Sequence, residues 1–143
     1  MKFALYCSDV SGAFDRVRCD RLLQKLRAKG VCERWLALFG SWVRERPAKV
    51  AVNGNFSDEM RLRDMVFQGT VWGPTLWNVF YEDAALPIRD SGFTEVVYAD
   101  DLNAYAEVDK NTSNTEALEQ ARTCQTSLHI WGRANQVSFD ASK

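Results

Sequence analysis

A chain of 143 residues, 46% hydrophobic and 26% charged, has apolar content for a folded core and too many charges for a membrane bundle. Its formal net charge of −1 conceals an asymmetry: residues 1–63 hold 13 Lys/Arg against 7 Asp/Glu, and residues 64–143 hold 5 against 12. Nucleic acid is therefore not excluded as a partner, because a basic face attracts phosphate and clustered carboxylates tolerate it when they hold metal ions.

Lys2–Ser8 is apolar and ends in Asp-Val-Ser-Gly, which predicts a buried strand entering a turn. Asp20 is placed to cap a helix over Arg21–Lys29, with Leu22, Leu23 and Leu26 on one face and Gly30 as its stop. Trp35, Leu36, Phe39, Trp42 and Val43 have the spacing of a second amphipathic helix, which ends before Pro47. Lys49–Val52 and Phe56–Leu62 flank Asn53-Gly54, a strong hairpin signal. Pro74 opens a helix over Thr75–Ala85 that turns Leu76, Val79, Phe80 and Ala84 inward. Thr94–Tyr98 and Asn103–Glu107 read as strands joined by a turn at residues 99–102. A long helix from near Thr115 aligns Ala117, Ala121, Cys124, Leu128 and Trp131, and a short strand, Gln136–Phe139, comes after it. This order predicts an α+β domain with helices packed on an antiparallel sheet.

Four cysteines lie far apart without a CxxC pair, and the first residues reach Asp9 before any signal-like apolar run. Reduced thiols and an intracellular, non-secreted protein are expected. The uncharged stretch Met65–Tyr81 is broken by Gly69, Gly73 and Pro74, so no membrane partner is expected.

Asp100-Asp101 is the most informative pair. Adjacent carboxylates repel one another, and a divalent cation turns that repulsion into coordination; a solvated acidic turn is the competing reading. Alternation puts Tyr98 and Asp100 on one face and Asp101 elsewhere. Asp9, at the end of the first strand, reaches the same metal if strands 2–8 and 94–98 are neighbours; alone it reads equally as a turn or cap residue. The run Arg16, Arg18, Arg21, Lys25, Arg27, Lys29 fits phosphate contacts or a solvated helix face. His129 reads as structural, and the tryptophans as core more than as stacking platforms.

Asp9 with Phe14-Asp15, then Gln68-Gly69, then Tyr98-Ala99-Asp100-Asp101 occur in an order that resembles the reverse transcriptase palm, most closely that of non-LTR retrotransposons. Residues 67–78 resemble that family's second palm motif, and residues 131–143 its fourth. The resemblance implies an α+β polymerase palm, with an antiparallel sheet and helices on one face. It would be one domain over residues 1–143, truncated, with fingers and thumb absent. It implies that Asp9 and Asp100 bridge two Mg²⁺ ions (Mn²⁺ as a substitute), with the Val10 carbonyl as a further ligand and Asp101 adjusting the field. Phe14 would lie under the nucleotide sugar and exclude a 2′-hydroxyl, although the residue alone reads also as a core Phe. Gln68 and Gly69 would sit beside nucleotide and template, with Gly69 allowing close backbone approach. Tyr98 would pack near the primer terminus. Lys143 would protonate pyrophosphate, where a frayed solvated lysine is the alternative. The implied partners are an RNA template, a DNA primer and dNTP, with fingers, thumb and an endonuclease domain linked in a longer protein. An inert retroelement fragment or a nucleic-acid-binding module are the rival functions. One departure stands out: the family usually has Pro before Gln-Gly, and this chain has Phe67.

Overall fold

The computed structural model describes residues Met1–Phe139. Two compact units organise the chain, Phe14–Phe80 in one and Met1–Ala13 with the chain from Tyr81 onward in the other.

In the second of these, β1 (Lys2–Ser8), β6 (Thr94–Tyr98) and β7 (Asp101–Val108) form an antiparallel sheet in the order β1-β7-β6. Period two decides its faces: Ala4, Ser8, Leu102, Ala104 and Val108 are buried, whereas Phe3, Leu5 and Tyr105 point outward. The helices α4 (Ala85–Asp90) and α5 (Asn114–Asn135) pack against the sheet. Cys124 and Leu128 of α5 are fully buried, and each Leu-sized side chain removed from water contributes about 1.5–3 kcal/mol. Ser113 and Glu116 close a capping box at the start of α5, satisfying two donors of its first turn.

The expected final strand is not a strand. Gln136 adopts left-handed backbone (φ 60°), and the Val137 N–H returns 2.8 Å to the Gly132 carbonyl, ending the helix in a reversal. Past this reversal the described chain pairs only through an isolated bridge between Val10 and Phe139. Gly132 permits this crossing, since a Cβ there would lie 2.7 Å from the Val137 carbonyl oxygen and 2.8 Å from Phe139 Cε2. Alanine gains about 1 kcal/mol of helix propensity, but overpacking against backbone costs about 1–3 kcal/mol. Gly132→Ala is therefore expected to lower the urea unfolding midpoint; an unchanged or higher midpoint would refute the crossing as the reason for glycine.

In the other unit, α1 (Cys19–Ala28) packs on α2 (Glu33–Val43). Asp20 does not cap α1: the N-cap is Arg18, and Asp20 lies in the first turn, where Arg18 donates to it at 2.9 and 2.8 Å. That guanidinium holds the Asp20 carboxyl below its usual range. The hairpin at Asn53-Gly54 exists, with both residues at positive φ as a two-residue turn of this hand requires. Its strands are shorter than expected. β3 (Ala51–Val52) pairs with β4 (Asn55–Phe56), and a separate ribbon joins β2 (Arg46–Ala48) to β5 (Met60–Leu62). Residues 49–60 are all exposed, so no core face holds one continuous ladder together.

The predicted Thr75–Ala85 helix divides into α3 (Gly73–Tyr81), a 3₁₀ turn (Glu82–Ala84) and α4. Leu76, Phe80 and Ala84 are buried as expected, and Val79 is half-buried. No helix among the described residues is long and apolar enough to cross a membrane.

Candidate active site

β7 lies between β1 and β6, so the strands carrying Asp9 and Tyr98 are not neighbours. Asp9 comes directly after Ser8, which pairs with Leu102, and Asp101 precedes Leu102. Asp9 and Asp101 thus sit at the same end of adjacent strands. Tyr98 pairs with Asp101 across a tight turn of Ala99 and Asp100. Cross-strand partners share a face, so Asp101 is on the Tyr98 face, contrary to simple alternation. The cause is Ala99, whose left-handed φ of 56° closes the turn in two residues rather than four. Tyr98 itself is 80% exposed beside these carboxylates.

Asp9 and Asp100 are half-buried, and Asp101 is exposed. Their combined field is registered by Tyr81, which the sequence motifs do not single out. Burial pushes its phenol well above the usual tyrosine range, and the Tyr6 phenol and the carboxylates of Asp100, Asp101 and Asp9 push it further. Its signal was present: Trp77, Phe80, Tyr81 and Ala84 make an i, i+3, i+4, i+7 stripe. Behind the carboxylates, buried Ser8 donates to the Leu102 carbonyl at 2.9 Å and ties β1 to β7 one residue from Asp9 and Asp101. Val10 is 4% exposed in its bridge with Phe139, which anchors the backbone beside Asp9. His129 stacks on Phe139 with centroids 5.3 Å apart, the structural part expected of it.

The donor set at this sheet end is all oxygen, without imidazole or thiolate, as hard cations prefer. Among the described residues no group of three His, Cys, Asp or Glu side chains is arranged to hold a metal ion. A donor set of few carboxylates fits Mg²⁺ of the kind that completes its shell with water and substrate phosphate. Lys143 lies outside the described residues.

In the unit of residues 14–80, Phe14 lies in a 3₁₀ turn, Ala13–Arg16, and accepts a 2.8 Å bond from the Val66 N–H through its carbonyl. Its ring is 6.0 Å from that of Trp77, which is 2% exposed. Gly73 packs under the same ring: a Cβ there would lie 3.4 Å from Phe14 Cε1 and 3.1 Å from both the Phe67 carbonyl and Thr70 Oγ1. The Thr70 hydroxyl donates to the Phe67 carbonyl at 2.7 Å, which folds Gln68 and Gly69 into an exposed loop. Gly69 has φ 76° and open space where a Cβ would stand, so left-handed backbone is what demands glycine there.

The basic run is largely engaged within the chain. Arg18 pairs with Asp20, Arg27 with Glu33 at 2.9 Å, and Lys25 donates to the Phe80 carbonyl while its ammonium lies 4.6 Å from that ring's centroid. Core placement of the tryptophans holds for Trp77 and fails for Trp35 and Trp72, which are about half-exposed and face each other at 6.5 Å.

Residues 4–143 match the family model described as reverse transcriptase (RNA-dependent DNA polymerase). The chain belongs to the reverse transcriptase family. It is similar to the RNA-directed DNA polymerase from mobile element jockey of Drosophila funebris, with 29% identity over 140 residues. The corresponding protein of Drosophila melanogaster is 28% identical over 137 residues. Each match covers 94% of this chain and 15% of the relative. This reverse transcriptase chain therefore spans a small part of the length of the relatives it matches, and its mixed helices and antiparallel sheet accord with a polymerase palm.

Proposed function

We propose that this chain is the catalytic palm of a non-LTR retrotransposon reverse transcriptase, extending a DNA primer on an RNA template from dNTP. The observation that carries the reading is the placement of Asp9, Asp100 and Asp101 at one end of one sheet, in a chain of this family. Asp9 and Asp100 would hold Mg²⁺ (or Mn²⁺) with the Val10 carbonyl, and Asp101 would adjust the field. The chemistry supplied there by two bound ions is activation of the primer 3′-hydroxyl and neutralisation of the triphosphate and departing pyrophosphate.

The chain's own residues position and select. Tyr98, exposed next to Asp101, offers a ring against which a primer end can pack. The Phe14 ring, backed by Trp77, would offer a sugar no hydrogen-bond partner and leave no room for a 2′-hydroxyl. Gln68 and Gly69 present side-chain amide and unobstructed backbone to nucleotide and template. Lys143 would protonate the leaving pyrophosphate. In the longer protein, fingers, thumb and an endonuclease domain would complete the primer–template channel, and an intracellular location goes with that work.

Primer extension on an RNA template, with dNTP and Mg²⁺, tests this for the chain alone and for the chain joined to its genomic flanking segments. Extension by the longer polypeptide is the expected result. Its failure there, with RNA binding retained, would leave a binding module and refute the enzyme.

A further inference from the structure

Four arginines lie on the stretch that leads from α2 through the two-stranded ribbon: Arg44, Arg46, Arg61 and Arg63. Two are paired with carboxylates, Arg63 Nε with Glu45 at 2.7 Å and Arg61 with Glu59 at 3.5 Å. Arg44 interacts electrostatically with the Cys19 thiol. Arg46 differs: among the described residues it has no carboxylate, and its guanidinium carbon stands 5.3 Å from the centroid of the Phe67 ring. That ring is itself braced edge-on by Trp42, at 5.9 Å and 69°. A π-face steadies a guanidinium without neutralising it and leaves its in-plane N–H groups able to donate. The perch is Phe67, the residue immediately before Gln68-Gly69.

We propose that Arg46, held on Phe67, is a phosphate-binding residue of this chain. A guanidinium fork matches two non-bridging oxygens of one phosphate, which makes the contact bidentate. The phosphate can come from the primer–template backbone or from a nucleoside triphosphate, and Arg46 recognises the chemistry common to both. The proposal rests on the polymerase reading only in that the substrates carry phosphate. Phe67 acts through Arg46 and is a positioning residue.

The test uses the full chain with Arg46→Gln, Arg46→Lys, Phe67→Leu and the Arg46→Gln/Phe67→Leu pair. One arm measures affinity for an RNA–DNA heteroduplex across a salt series; the other measures equilibrium binding of dGTP with Mg²⁺. If the backbone is the source, Arg46→Gln makes the log K against log salt slope shallower by about 0.7–0.9, the release expected for one phosphate. If the triphosphate is the source, the slope stays and dGTP binding weakens. In either case Phe67→Leu weakens the same arm, the pair is no worse than Arg46→Gln alone, and Arg46→Lys recovers part of the loss. A structural role would shift the unfolding midpoint and leave slope and dGTP affinity untouched. Wild-type binding with both arms unchanged in Arg46→Gln overturns the proposal and leaves the polymerase reading standing. A wild-type chain that binds neither probe overturns both.

Discussion

Asp100→Asn is expected to abolish primer extension while leaving RNA affinity intact or raised. The substitution keeps the shape of the side chain and removes one charge, so the hairpin that pairs Tyr98 with Asp101 remains. A cation site that loses one of its few carboxylates loses several kcal/mol of transition-state stabilisation, at least about 10³-fold in rate. Nucleic acid meets less repulsion from the sheet end and binds no more weakly. Asp9→Asn should match it, because both carboxylates are half-buried and their fields are little screened. Asp101 is exposed, so Asp101→Asn should cost less. Single-turnover extension and filter binding, run side by side, check the order. Activity of Asp100→Asn within tenfold of wild type would remove these carboxylates from the chemistry.

Phe14→Val should relax sugar selection and preserve the local backbone. The bond that holds residue 14 runs from the Val66 N–H to the main-chain carbonyl, so it survives loss of the ring. Trp77 and Gly73 then face vacated space, and under the proposed reading a 2′-hydroxyl that would meet carbon in the wild type would find room there. Pocket changes of this size alter discrimination by about 1–3 kcal/mol, or about 10–200-fold. The ratio of kcat/KM for dNTP to that for rNTP is the measurement. An unchanged ratio would show that Phe14 is a packing residue only.

The sheet and its motifs were legible because their signals are local. Lys2–Ser8 and Thr94–Tyr98 begin and end where the sequence places them, since apolar runs bounded by turn residues leave little choice. The carboxylates stand out by their own chemistry, whereas Phe14 and Gln68-Gly69 stand out only through the resemblance to the reverse transcriptase palm. Outcomes of tertiary competition could not be read in the same way. Asp20 has the chemistry of a cap, but Arg18 two residues earlier captures it. Gln136–Phe139 has strand-like composition, but the reversal over Gly132 leaves it a single bridge. Strand order was also invisible: only the ladder shows β7 between β1 and β6, which makes Asp101 rather than Asp100 the residue beside the end of β1. Phe67, a departure from the family pattern in one dimension, becomes in three the surface on which Arg46 rests.

Ala99 carries a consequence for the proposed chemistry at Asp100 and Asp101. An alanine at φ 56° sits in a narrow well, about 1–2 kcal/mol above its preferred conformations, where glycine would wander between both signs of φ. The two aspartates after it are thus mounted on a stiff pivot. In the proposed polymerase, the entropy of fixing their direction would be lost once, when the chain folds, and would not have to be lost again each time a nucleotide arrives.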